Sequence, residues 1–240
     1  MTIPRARPAV IITGWRTGGT WLTHCLSNHP DIFCARAEAL HSESLYRRWA
    51  TPAQVLDFVY GQWHYTVNMC KLTYAQAFRD RPVWEYMTRL KPAVIHLVRE
   101  DVVRQAVSMI LLKMHNSGRT AQPAHSLAET TPARARLDPA MVVRYARNLT
   151  AADRSARERL AGWRVLELTY AEMVGGEGKS PEYMQKRAAE RVCAFLGVPY
   201  VRMGSRLKAV NPFALGETVA NWAEVRAALL ASEFRELAGG

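Results

Sequence analysis

Near the amino terminus, Gly14-Trp15-Arg16-Thr17-Gly18-Gly19-Thr20 brings together the groups that hold an oxyanion. Arg16 offers a full charge, Thr17 and Thr20 offer hydroxyl donors, and Gly18 and Gly19 let the backbone come close to phosphate oxygens. A loop of this kind between a strand and a helix points its free N–H groups and the positive end of the helix dipole at one spot. It is not a Walker A loop, because Thr20 follows Gly19 where G-x-x-x-x-G-K-[ST] has lysine, and G-x-G-x-x-G is absent as well.

The elements around the loop suit that role. Ala9-Val10-Ile11-Ile12-Thr13 is apolar and β-branched and predicts a buried strand. After the loop, Trp21, Leu22, Cys25 and Leu26 share one helix face, and Asn28-His29-Pro30 stops the helix. Ala93 to Val98 predicts a second strand, followed by a helix with Val102, Val103, Ala106, Val107, Ile110 and Leu111 on one face and Arg104 solvated. Arg164 to Leu168 predicts a third strand, and Arg187 to Leu196 a helix ended by Gly197-Val198-Pro199. Strands alternating with helices predict an α/β class: a P-loop-like three-layer fold with a central parallel β-sheet flanked by helices. Residues 1–240 read as one domain, and the Ser/Thr/Pro/Gly-rich stretch 115–138 as a mobile loop or lid.

On these residues the chain resembles the superfamily of sulfotransferases that use 3′-phosphoadenosine 5′-phosphosulfate. Gly14 to Leu22 is similar to the family's 5′-phosphosulfate loop, P-[KR]-[ST]-G-[ST]-[ST]-[WL]-L: Arg16 falls at the basic position, Thr17 and Thr20 at hydroxyl positions, Gly18 at the glycine, and Trp21-Leu22 opens the helix. Trp15 stands where the family has Pro, and Gly19 where it has a hydroxyl residue. Leu97 to Ser108 resembles the 3′-phosphate motif, with Arg99 at a strand end and Ser108 nine residues on, a spacing like that of the bacterial nodulation-factor branch. Asn68 to Tyr74 resembles the central K-x-H segment with Lys71 in register, and Leu168 to Met173 the Y-E-D-L segment, whose tyrosine, here Tyr170, lies near adenine. Lys208-Ala209-Val210-Asn211-Pro212 and Asn221-Trp222-Ala223-Glu224-Val225 resemble the carboxyl-terminal part of that branch.

The resemblance implies a sulfuryl donor held by Arg16, Thr17, Gly18, Gly19, Thr20, Trp21, Arg99, Ser108, Tyr170 and Lys208, leaving 3′-phosphoadenosine 5′-phosphate as product. Arg16 and Lys71 would neutralise the leaving phosphate, so no metal is implied. Thr73 occupies the position of the family's catalytic His and cannot be the base. Carbohydrate-acting bacterial members have a Glu after an H-P-x-[IV] turn; His29-Pro30-Asp31-Ile32 followed by Glu38 makes Glu38 the first choice, with His41 and Glu43 as rivals. The acceptor implied is a small molecule or carbohydrate, with a carbohydrate or glycosylated molecule first and a phenolic or lipid alcohol second. Aromatics between Ser44 and Arg89, among them Trp49, Tyr60, Trp63, Tyr65 and Trp84, suit sugar stacking and core packing alike.

Composition narrows the setting. With 240 residues and 49% hydrophobic residues a substantial core is possible, and no apolar run reaches a membrane span. No apolar leader precedes the first strand, so a cytoplasmic protein is expected; a homodimer is left open. Cys25, Cys34, Cys70 and Cys193 have neither CxxC nor zinc spacing and read as buried hydrophobes. Of 32 Lys and Arg residues 26 are Arg, and the net charge is +11. That balance fits an anionic cofactor or substrate, or nucleic acid. Two other classes stay open: a P-loop-type kinase, disfavoured by the missing loop lysine, and a nucleic-acid binder, disfavoured because Arg is spread along the chain.

Overall fold

The structure is a computed structural model that describes residues 6–35, 39–40, 51–117, 134–177, 179, 181–208 and 212–239. Among them run β1 (Arg7–Thr13), α1 (Gly19–Leu26), β2 (Ile32–Cys34), α2 (Pro52–Tyr60), β3 (Val67–Thr73), α3 (Tyr74–Phe78), α4 (Arg81–Leu90), β4 (Ala93–Val98) and α5 (Val102–Asn116). They are followed by α6 (Pro139–Arg159), β5 (Val165–Thr169), α7 (Tyr170–Val174), α8 (Lys186–Leu196), α9 (Leu215–Thr218), α10 (Trp222–Leu230) and a 3₁₀ turn at Arg235–Gly239.

Five strands form one sheet in the order β2-β3-β1-β4-β5, every pair parallel. Its inner strands are largely buried on both faces and mostly apolar, as a covered parallel sheet requires, with Asn68, Lys71 and His96 among the polar exceptions. Ala9 and Ile11 of β1 pack with α1 and α8 on one side, while Val10 and Ile12 pack with α2 and α4 on the other. That is the three-layer arrangement the alternating pattern predicts. Each fully buried Ile or Leu side chain contributes roughly 2 kcal/mol to this core. A further cluster joins α5, α6, α9 and α10.

Local sequence sets the helix starts. Thr73 and Thr169 close β3 and β5 and cap α3 and α7 in capping boxes completed by Gln76 and Glu172. Asp101 caps α5 by accepting from Arg104 N at 2.8 Å. The strand endings therefore lie side by side: Thr13 is in register with Thr73 and Leu97, and Val98 with Thr169. The loops after β1, β3, β4 and β5 leave from this one edge, where open α/β sheets bind their ligands.

Two sequence expectations shift, and one segment left without a secondary structure gains one. Arg104 is buried rather than solvated: its Nη1 donates to Phe213 O at 2.7 Å, and its Nε lies 3.5 Å from Asp101 Oδ2. The K-x-H-like segment is a central strand, β3, whose polar residues have distant partners. Of the stretch 115–138, residues up to Asn116 belong to α5, and Ala135 and Leu137 are held by Thr218 and Asn221; residues 118–133 lie outside the described residues. Among the described residues no helix is long and apolar enough to cross a membrane, and all four cysteines are buried and outside any disulfide.

Candidate anion-binding site

The loop after β1 is braced from inside. Thr17 is buried, its Oγ1 lies 2.5 Å from Thr13 Oγ1, and it donates to Gly14 O at 3.1 Å; Thr13 Oγ1 donates in turn to Leu97 O on β4. The Thr17 hydroxyl is thus spent on the loop's own shape. Gln105 of α5, wholly buried, donates Nε2 to Trp15 O at 2.7 Å, and its Oε1 has no partner among the described residues.

Two backbone features shape the loop. Arg16 adopts φ 65, a left-handed conformation that costs a non-glycine residue about 1–3 kcal/mol. Such strain persists where the surroundings over-determine it, here through Gln105 on Trp15 O and Arg99 on Arg16 O. Gly18 follows at φ 84, and a Cβ there would lie 2.6 Å from Tyr170 Cδ2; one on Gly19 would lie 2.9 Å from Lys71 Cδ. The first intrahelical bond of α1 is Leu22 N to Gly18 O at 3.0 Å. The N–H groups of Gly19, Thr20 and Trp21 therefore precede the helix ladder at its positive end. Trp21 offers only that backbone group, since its side chain is 8% exposed in the core against the sheet.

Cations converge on the loop from three strand ends. Arg16 Nε donates to Ser108 Oγ on α5 at 2.8 Å. Arg99, just past β4, donates Nη1 to Arg16 O at 3.2 Å and lies over the Tyr170 ring, 4.8 Å from its centroid. Lys71, buried near the end of β3, donates Nζ to Thr20 Oγ1 at 3.0 Å. Burial, and then the positive charge of Arg99, lower the Arg16 pKa to about 10. It stays charged at neutral pH, but two adjacent guanidinium groups are best satisfied by an anion between or beside them. Arg99 meets one already: Glu177 Oε2 lies 2.5 Å from its Nη2.

Arg16, Thr17, Gly18, Gly19, Thr20, Lys71, Arg99, Ser108 and Tyr170 thus come together in one cluster. Lys208 is exposed and takes no part in its hydrogen bonds among the described residues. Glu38, His41 and Glu43 lie outside the described residues. His29, from the H-P-D-I turn, is buried: its Nδ1 accepts from Asp31 N at 3.0 Å, so Nε2 carries the proton and donates to Pro199 O at 2.9 Å. The aromatic segment divides. Tyr60 and Tyr86 stack in the core, Trp84 packs on Trp163, and Trp63 is exposed beside His64.

Sequence reasoning missed two members, Gln105 and Glu177. Gln105 lies three residues before Ser108 on α5, one turn away on the same face, and that spacing could have flagged it. Glu177 carries no such signal.

The chain has a three-layer α/β fold with its glycine-containing loop after the central strand. No family model and no curated protein sequence matches it. Two solved structures are similar in fold. One is a sulfotransferase from Alicyclobacillus acidocaldarius, 14% identical, with 97% of this chain and 93% of that chain covered and a TM-score of 0.53. The other is the sulfotransferase domain from the curacin biosynthetic pathway, 16% identical, covering 98% of this chain and 97% of that one at a TM-score of 0.51. At these identities the likeness is one of fold.

Proposed function

We propose that the protein is a sulfotransferase that uses 3′-phosphoadenosine 5′-phosphosulfate, with residues 1–240 as one catalytic domain. One observation carries this reading: Arg16 of the first loop bonds Ser108, and Arg99 bonds the Arg16 carbonyl. The two phosphate motifs read from the sequence form a single cationic cluster at one sheet edge, where the absence of side chains on Gly18 and Gly19 lets Tyr170 and Lys71 pack against the loop. That suits a nucleotide with phosphates at two separate positions. Similarity in fold to two sulfotransferases supports it.

The donor supplies an activated sulfuryl group. The chain's residues bind it and manage charge. Gly18, Gly19 and the first-turn N–H groups of α1 would hold the 5′ end, with Thr17 as the loop's internal brace. Arg99 and Ser108 would hold the 3′-phosphate, and Tyr170 would border the adenosine. Arg16 and Lys71 would take up the negative charge on the departing phosphate, a role that demands preorganised cations. Sulfuryl transfer also requires the acceptor hydroxyl to lose its proton, and Glu38 is our choice of base, ahead of His41 and Glu43. The acceptor we favour is a carbohydrate or glycosylated molecule, on the motif resemblance to the bacterial nodulation-factor branch.

Thermal-shift measurements with 3′-phosphoadenosine 5′-phosphate, ATP and an oligonucleotide test the reading. The first should raise Tm most. Stabilisation by ATP alone would point to a kinase, and by the oligonucleotide alone to a nucleic-acid binder. A mass-resolved screen of acceptors for sulfate transfer then tests the carbohydrate assignment.

A further inference from the structure

The Arg99 guanidinium is engaged by an acidic side chain at the place where the reading above needs a phosphate. Arg99 Nε donates to Glu177 at 3.1 Å to Oε2 and 3.3 Å to Oε1, and Nη2 donates to Oε2 at 2.5 Å. The two side chains are only 10% and 22% exposed. The other surfaces of Arg99 are taken: Nη1 holds the Arg16 carbonyl, and one face of the guanidinium covers Tyr170. The Nε/Nη2 edge left over is the fork that matches a carboxylate or a phosphate, one at a time.

We propose that Glu177 is a specificity residue for the nucleotide: an internal anion on the Arg99 fork that a 3′-phosphate must displace. This inference rests on the assignment of Arg99 to the 3′-phosphate. Glu177 is placed to yield. It follows α7 through Gly175 at φ 82 and Gly176 at φ 131, two consecutive residues in a region that side chains disfavour. Both glycine N–H groups donate to Ala171 O, at 2.8 and 3.0 Å, which fixes the end of α7 just before Glu177. Tyr170 donates its hydroxyl to Lys179 O at 3.2 Å, tying the far side of the turn to the ring beneath Arg99. A phosphate dianion has twice the charge of the carboxylate and displaces it from the fork. A nucleotide without a 3′-phosphate leaves Glu177 in place and gains nothing from Arg99.

The test uses the full chain, calorimetric titration, and two ligands, 3′-phosphoadenosine 5′-phosphate and adenosine 5′-phosphate. In Glu177→Gln the bisphosphate should bind roughly tenfold more tightly, because its competitor no longer carries charge, while the monophosphate changes by less than about twofold. Glu177→Asp keeps the charge but shortens the reach, and it should tighten the bisphosphate as well. Equal tightening of both ligands would mean a general charge effect, and unchanged bisphosphate affinity in both variants would mean no competition; either result overturns the proposal. If the wild-type protein binds the bisphosphate no better than the monophosphate, the fault lies in the Arg99 assignment instead.

Discussion

Arg16 donates its Nε hydrogen to Ser108 Oγ at 2.8 Å, across 92 residues of sequence. The bond ties the strained loop after β1 to the buried face of α5 and aims a guanidinium whose pKa burial has lowered to about 10. Removing the hydroxyl leaves the charge but loses its aim and one donor toward the nucleotide. Ser108→Ala should therefore weaken binding of 3′-phosphoadenosine 5′-phosphate about tenfold, the usual size of one hydrogen bond to a charged group. Arg16 is half-buried, so water can replace part of what is lost. The Tm should fall by only about 2–4 °C, in line with roughly 1 kcal/mol in a chain of this size. Unaltered affinity by calorimetry would separate Ser108 from the nucleotide site.

Gly18 is constrained twice. Its φ of 84 is costly for any residue with a Cβ, and that Cβ would lie 2.6 Å from Tyr170 Cδ2. Gly18→Ala should lose about 2–3 kcal/mol in urea unfolding and most nucleotide binding, since Tyr170 must move from beneath Arg99. Pairing it with Tyr170→Ala removes the clash but not the backbone strain. The double variant should then be more stable than the sum of the singles predicts, by about 1 kcal/mol. Strict additivity would show that the tyrosine is not the obstacle.

What could be read from the sequence divides along a physical line. Ala9 to Ile12, and Ala93 to Val98 with His96 as its one polar residue, are otherwise apolar on both faces and announced themselves as buried strands. The loop between β1 and α1 could be read because glycine, arginine and threonine have few other reasons to cluster. β3 was hidden by Asn68 and Lys71, whose partners are distant: Asn68 Nδ2 bonds Tyr60 O and Gln62 O, and Lys71 reaches α1. Arg104 seemed solvated for a similar reason, since its acceptor, Phe213 O, lies 109 residues away. Glu177 sits in a turn whose composition says only that it is a turn, and its meaning comes from the edge of Arg99 it occupies. Local pattern reveals elements; pairings between loops need the fold.

A polar chain on one face of the sheet, linking β4 and β5 to Tyr74 and α6, should make stability depend on pH. Tyr74 donates to Asp153 Oδ1 at 2.7 Å, so His96 Nε2, 2.8 Å from the same hydroxyl, is the donor in that contact. His96 Nδ1 lies 3.2 Å from Glu167 Oε2, itself held by Arg157. Burial lowers the His96 pKa below its ordinary 6.5 in spite of Glu167. The unfolded chain therefore binds a proton that the folded one refuses: His96 supports folding fully above pH 6.5 and loses that support as pH falls toward its lowered value. Asp153 works in the other direction. Burial raises its pKa, so its contribution is greatest at low pH and is lost as pH rises through the raised value. Glu167, lowered chiefly by its bond to Arg157, weakens the fold only below its ordinary 4.5, outside this window. Tm measured from pH 7.5 to 5.5 should fall more steeply for the wild type than for His96→Gln. Parallel curves would remove His96 as the cause.

Binding and chemistry should separate between Lys71 and Glu38. Lys71 is 5% exposed and anchored on Thr20, beside Gly19 at the start of α1, where charge on a departing phosphate would collect. Lys71→Met keeps the length and apolar stem of the side chain and discards its charge. It should lower the rate of sulfate transfer by about 10²–10³, the usual cost of one preorganised group that stabilises developing charge. Affinity for the product nucleotide should also weaken, because the same cation faces its 5′-phosphate. Glu38→Gln should behave differently. If Glu38 takes the acceptor's proton, transfer falls by about 10²–10⁴ while nucleotide affinity is unchanged, since a base near the acceptor does not hold the donor. Single-turnover transfer measured alongside calorimetric titration distinguishes the two. A Glu38→Gln protein that transfers sulfate at the wild-type rate would pass the role of base to His41 or Glu43, and the same pair of measurements on His41→Gln and Glu43→Gln would decide between them.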